Sequence, residues 1–216
     1  MVSTPSPSGI SFFQSHLSEN QQEIAWVHEL EPDATCYGDA YHRYGLFGQT
    51  PTLMAHCCYT EGEELHLMRE QNVCAVHCPT SNCNLASGIA PVRKMLQEGV
   101  QVVLGSDIAG GHHLSMFRVM QYAVQMSKLQ YVSSNSQYPF LTLSEVFYMA
   151  TKGGGEFFGK VGSFEAGYEM DAVVLDDKRL IHPQEMGVEQ RLERMIYLAD
   201  EREVYAKYVA GEKVSD

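Results

Sequence analysis

Four short apolar runs, ISFFQSH, PTLMAH, VCAVHCP and VQVVLGSD, punctuate residues 10–107. Each is continuous rather than alternating, which is the pattern of a strand covered on both faces in a parallel sheet. Helix-like stretches follow them. SENQQEIAWVHEL has Ser18 as a cap, Gln21 three residues later, an apolar face of Ile24, Val27 and Leu30, and Pro32 beyond its end. TEGEELHLMREQN, with Leu65, Met68 and an acidic first turn, suits a helix. After the third run comes a polar loop, TSNCNLASGIA, and then PVRKMLQEG, a short helix with proline at its start and glycine at its end. The fourth run leads through the loop IAGGHH into the long helix LSMFRVMQYAVQMSKLQ. Strand and helix in alternation predict an α/β fold, either an open parallel sheet or a barrel.

The character changes after residue 140. LTLSEVFYMATKGGGEFFG predicts a helix closed by its three glycines acting as a C-cap. DAVVL reads as a strand, VEQRLERMIYLAD as a helix, and EVYAKYVAGEKV as a hairpin turning at Gly211. The expected organisation is a Ser/Pro/Gly-rich stretch at 1–9 outside the fold, four βα units over 10–140, and a helical and β appendage over 141–216.

A formal charge of −12 opposes binding to nucleic acid or an anionic membrane, since both require clustered Lys and Arg. No apolar run approaches the roughly 18 residues that span a bilayer. MVSTPSPSG has neither the basic nor the apolar part of a secretory signal, so a cytoplasmic location with reduced thiols is expected. Cys57, Cys58, Cys74, Cys78 and Cys83, with His77, offer a structural zinc site as an alternative. Their spacing is irregular, and buried inert thiols are the default reading.

Ligand-type residues fall at strand ends: His16 on the first run, His56 on the second, Asp107 on the fourth. In parallel α/β barrels that end is where side chains from several strands converge on one mouth. Histidine and aspartate suit Zn²⁺, and Glu19, one turn past His16, can carry protons at the same mouth. Each residue also has a plain role: a hydrogen-bonded strand-end histidine, an acidic first helical turn, a turn-capping aspartate. Residues and spacing alone take the reading as far as a metal-dependent hydrolase.

The strings QSHLSEN, MAHC, HCPTSNCNLASGIAPV and GVQVVLGSDIAGG resemble successive motifs of guanine deaminases in the amidohydrolase superfamily. ATKGGGEFFGKVGSFEAGYEMDAVVLDD and ERMIYLADEREVYAKYVAGEKV resemble the C-terminal region of the same family. The resemblance implies a (β/α)₈ barrel that holds one Zn²⁺ and converts guanine to xanthine and ammonia. It makes His16 a zinc ligand on the fifth strand and Glu19 the proton shuttle to the purine. His56 on the sixth strand then orients the attacking water, and Asp107 on the eighth binds the metal and accepts the water's proton. His16, Glu19 and Asp107 would also meet the substrate.

Family members open the barrel with an H-x-H-x-P-Q strand that supplies two further zinc ligands. None of the nine histidines here forms an H-x-H pair. The expectation is therefore the C-terminal half of a TIM-type barrel, strands five to eight, with two zinc ligands to come from elsewhere. Such a half exposes two sheet edges and an apolar interior. It should dimerise or associate with the other half, and alone it should have little zinc affinity or turnover. The alternatives are an aminohydrolase for another purine, pterin or triazine, and a non-catalytic binding or assembly module.

Overall fold

The computed structural model describes residues 12–215. The expectation for residues 1–9 lies outside the described residues. Strands β1 (Phe13–Leu17), β2 (Thr52–His56), β3 (Cys74–His77) and β4 (Val102–Leu104) form one parallel sheet in the order β1-β2-β3-β4. Chain order equals spatial order, so every connection is a crossover to the neighbouring strand, as a βα series requires. The intervening helices are α1 (Gln21–Leu30), α2 (Tyr37–Arg43), α3 (Gly62–Glu70), α4 (Pro79–Asn84) and α5 (Val92–Gln97). After β4 come α6 (Met116–Ser133), α7 (Leu143–Ala150) and α8 (Lys152–Gly155).

One face of the sheet carries Ser15, Met54, Ala75 and Val102 in register, with Phe13 on the same face of β1, and packs under the helices. Leu65 and Met68 of α3, Met95 of α5, Val119, Ala123 and Val124 of α6, and Val146 and Met149 of α7 complete that core. Each side chain of this size, fully buried, contributes roughly 1.5–3 kcal/mol. The opposite face is less covered. Its register partners include Gln14 and His16, both exposed, and Leu53 and Val76, both half-buried. Helix α1 buries none of its residues fully, and Trp26 and Leu30 stand exposed on it. The apolar face predicted for this helix is only partly covered: Ile24 and Val27 are half-buried, α2 packs alongside, and Leu30 stays exposed.

Strand β5 (Ala172–Leu175), helix α9 (Val188–Leu198) and strands β6 (Val204–Val209) and β7 (Glu212–Ser215) follow. The strands form a three-stranded antiparallel sheet in the order β5-β6-β7, and the hairpin turns at Gly211 with φ +83° as expected. The boundary expected at residue 140 falls between α6 and α7. Helix α7 packs back on α6 and β4, and α9 packs on α6. Arg93 of α5 clamps α7 with two parallel hydrogen bonds to Glu145, at 2.7 and 2.9 Å. This pairing holds the Glu145 carboxyl at about 2.

Four local expectations change. The cap of α1 is Asn20, whose side chain accepts from the Glu23 amide at 2.9 Å, and not Ser18. Residues 79–84 are a helix within the segment read as loop, with Pro79 in its first turn. Helix α2 was not foreseen: it has only seven residues, although Tyr37, Ala40 and Tyr41 stand at i, i+3 and i+4 and pack inward. Gly153–Gly155 do not cap α7; they lie inside α8, and none has a positive φ. Their role is close packing: a methyl group on Gly155 would collide with the Val161 carbonyl, and one on Gly153 would lie 2.8 Å from the Tyr148 ring.

Candidate active site

His16 sits next to last on β1, His56 is the last residue of β2, and Asp107 lies three residues past the end of β4 rather than on it. Glu19 occupies the turn between β1 and α1. All four emerge at the C-terminal edge of the sheet. The His16 and His56 rings pack edge to face, centroids 4.8 Å apart. His56 Nε2 lies 3.6 Å from Glu19 Oε2 and 4.0 Å from Asp107 Oδ2, and His16 Nδ1 lies 4.0 Å from Glu19 Oε2. These separations are too long for hydrogen bonds.

His56 is almost fully enclosed, and its Nε2 has no hydrogen-bond partner. A buried polar atom without a partner is costly, and here it faces two carboxylates across a gap. His16, Glu19 and His56 form the one grouping of metal-ligand side chains among the described residues, with their ligand atoms within 4.8 Å of one another. Asp107 stands at the rim of that grouping. Zinc takes nitrogen and oxygen donors at about 2.0–2.2 Å, so two donors on one ion sit roughly 3.3 Å apart. The donors here are wider than that, 3.6 and 4.0 Å from Glu19 to the two histidines and up to 4.8 Å across the grouping. In kind, the imidazole of His16 and the carboxylate of Asp107 suit zinc, with fewer ligands than a full site.

Backbone strain marks the same positions. Ser18, His56, Cys57 and Asp107 all have left-handed φ, between 45° and 72°. For residues other than glycine this conformation costs on the order of 1–3 kcal/mol each. It turns the chain sharply past the strand ends; His56 and Asp107 approach each other there, while Ser18 Oγ turns to Glu64 and Cys57 packs into the core.

Three buried polar groups around the mouth were not singled out in the sequence. Glu64 of α3 accepts hydrogen bonds from Ser18 Oγ and Thr60 Oγ1, each at 2.8 Å, and from the Gly38 amide at 2.9 Å. Asn82 Oδ1 lies 2.9 Å from His56 Nδ1, and Ser87 Oγ donates to Glu19 Oε1 at 2.7 Å. The density of small polar residues in TSNCNLAS directly after a buried strand was the available signal. His112 packs on His113 and on Tyr122 of α6, outside the metal-ligand grouping. A groove of about 650 Å³ between α5 and α7, lined by Arg93, Gln101, Glu145 and Tyr148, lies at the opposite end of β4 and shares no residue with the histidines.

The cysteine alternative finds no geometry. Cys57, Cys58, Cys74 and Cys78 are buried, Cys36 is half-buried, and Cys83 is exposed, all as free thiols. Burial pushes the thiols of Cys58, Cys74 and Cys78 up to about 12, and it holds the neighbouring His77 down at about 4. A thiol disulfide reagent should therefore modify Cys83 quickly and Cys36 slowly in the folded protein, and all six thiols after unfolding. Fast native modification of Cys74 or Cys78 would contradict this packing.

Residues 11–214 match the model of the Amidohydrolase family. Guanine deaminase from Homo sapiens is 35% identical over 212 residues, covering 93% of this chain and 46% of that protein. A solved guanine deaminase from C. acetobutylicum, with guanine bound in its active site, is 53% identical with a TM-score of 0.92. That match covers 94% of this chain and 48% of that one. An adenosine deaminase from Xanthomonas campestris, with bound zinc, is 27% identical with a TM-score of 0.78, over 93% of this chain and 44% of that one. The chain thus spans about half the length of the relatives it matches. Four parallel βα units, ligand-type side chains converging at the strand ends, and a family match over nearly every described residue lead to one conclusion: the chain belongs to the amidohydrolase family.

Proposed function

We propose that this chain forms strands five to eight of a guanine-deaminase barrel, which hydrolyses guanine with water to xanthine and ammonia. The convergence of His16, Glu19, His56 and Asp107 on one gap, with His56 Nε2 left unpartnered inside it, carries the reading. The 53% identity to a protein that holds guanine in its active site supports the choice of base. The exposed Gln14 and His16 on the sheet, and Trp26 and Leu30 on α1, are surfaces that the rest of a barrel would cover.

His16 and Asp107 would hold one zinc ion, with two further histidine ligands from the remainder of the barrel. Zinc supplies an activated water by lowering its pKa from 15.7 to about 7. Asp107 takes the proton released as the water attacks the carbon bearing the amino group. Glu19 Oε2 delivers a proton to the purine ring, and His56 Nε2 orients the water between the two carboxylates. Helix α1 holds Glu19 in place, since the Glu19 amide donates to Glu23 Oε2 at 3.0 Å.

The test is complementation. The 216-residue chain alone should bind zinc weakly and leave guanine unchanged. Co-expressed with the part of the C. acetobutylicum enzyme that it does not match, it should take up one zinc per complex and release ammonia from guanine faster than from adenine or 8-oxoguanine. Tight stoichiometric zinc and guanine turnover by the chain alone would refute the half-barrel reading. Preference for another base would redirect the substrate.

A further inference from the structure

Helix α4 and the loop that follows it contact the mouth from beneath at three points. Asn82, 2% exposed, places Oδ1 2.9 Å from His56 Nδ1. Ser87, 3% exposed, donates from Oγ to Glu19 Oε1 at 2.7 Å, and its own carbonyl accepts from Tyr59 Oη at 2.9 Å. Asn84 Nδ2 donates to the Gly110 carbonyl at 2.8 Å, in the loop that carries Asp107. That loop lies so close to α4 that a methyl group on Gly110 would sit 2.6 Å from Ser81 Oγ. One rigid nine-residue stretch, 79–87, thus touches the supports of His56, Glu19 and Asp107 at once.

The contacts divide each reacting group into a held atom and a free one. The proton position on an imidazole is set by the partner of the other nitrogen. Asn82 Oδ1 is an acceptor only, so His56 Nδ1 must carry the proton and donate it. Nε2 is then the one nitrogen left to exchange with whatever occupies the mouth, and it is the atom without a partner. Ser87 does the same for Glu19. It occupies Oε1, so Oε2 faces His56 and His16.

We propose that Asn82 and Ser87 are positioning residues: Asn82 commits the His56 proton to Nδ1, and Ser87 commits Glu19 to presenting Oε2. The catalytic consequence rests on the guanine-deaminase reading; the proton position does not. Partners of this kind in enzyme sites typically contribute 10–100-fold.

The deciding experiment is nitrogen-15 NMR of the imidazoles in the full chain, with His56 assigned by its loss in His56→Gln. Wild type should show a protonated, hydrogen-bonded Nδ1. Asn82→Ala should move that proton to Nε2 or leave a mixture, and Asn82→Asp, which keeps an acceptor, should restore it to Nδ1. Ser87→Ala should shift the Glu19 carboxyl carbon-13 resonance and leave the His56 spectrum as in wild type. In the complemented enzyme, Asn82→Ala should lower kcat about 10–100-fold with little change in KM, and Asn82→Asp should recover part of it. An unprotonated Nδ1 in wild type, meaning that the Asn82 amide presents its NH₂ to the ring, overturns the proposal even if Asn82→Ala does not fold. An unchanged His56 spectrum in folded Asn82→Ala overturns it as well. Because the spectra are recorded without guanine, absence of turnover would count against the functional reading and leave this inference standing.

Discussion

Replacing Glu19 with glutamine should cut guanine turnover by the complemented enzyme about 10²–10⁴-fold, the usual share of a positioned proton carrier. The substitution is close to isosteric. A glutamine at this position still offers an oxygen to Ser87 Oγ, so the contact at 2.7 Å survives. Its amide would then face His56 Nε2, where the carboxylate oxygen stands at 3.6 Å. Shape and hydrogen bonding are retained, and only the capacity to carry a proton is lost. The expected signature is a fall in kcat with KM nearly unchanged, measured as xanthine formation, and a melting temperature close to wild type. A loss confined to KM would mean that Glu19 only binds the base.

The second large effect lies behind the site. Glu64→Ala should destabilise the folded chain by about 2–4 kcal/mol, because the Ser18 hydroxyl, the Thr60 hydroxyl and the Gly38 amide all lose their acceptor in a buried place. For a chain of this size the melting temperature should fall by roughly 5–12 °C. Ser18 stands between β1 and Glu19 with φ 46°, so the same substitution loosens the turn that aims Glu19. Burial raises the Glu64 carboxyl above its ordinary value despite the three donors. The sign of the pH effect follows. The folded state holds this proton more tightly than the unfolded state, so its contribution is fully present below the ordinary glutamate value of about 4.3 and is lost as pH rises through the folded value. Glu145 has the opposite sign, since Arg93 holds it low and its contribution is lost on acidification. Subtracting the stability of Glu64→Gln from that of wild type across mildly acidic pH isolates the first effect. A difference that grows with rising pH would contradict it.

The sheet was legible in the sequence chiefly because PTLMAH, VCAVHCP and VQVVLGSD are nearly unbroken apolar runs between helix-like stretches, whereas β1, FQSHL, alternates and exposes Gln14 and His16. His16, His56 and Asp107 were legible because each ligand-type residue interrupts or ends such a run. What escaped depended on distant partners. Ser18 and Asn20 are both good caps by composition, and the choice between them is made by Glu64, which lies 46 residues beyond Ser18 and claims its hydroxyl. TSNCNLAS looked like a polar loop because Asn82, Asn84 and Ser87 meet His56, the Asp107 loop and Glu19, none of which is near in sequence. The three glycines looked like a stop signal, and the structure uses their missing side chains for contact with Val161 and Tyr148. Local chemistry predicted the elements, and long-range contact decided what their polar residues do.

The left-handed backbone at Ser18, His56, Cys57 and Asp107 also bears on how such a chain ages under mutation. Each of these positions would relax if it became glycine or, at a solvent-facing turn, asparagine. At Asp107, about one-third exposed, such a change should cost the packing little and relieve the turn. Selection for thermal endurance alone would therefore reach the mouth early and replace its residues before it touched Met54 or Val119. A lineage freed from its chemistry should keep the sheet, gain heat resistance, and lose the strand-end residues first.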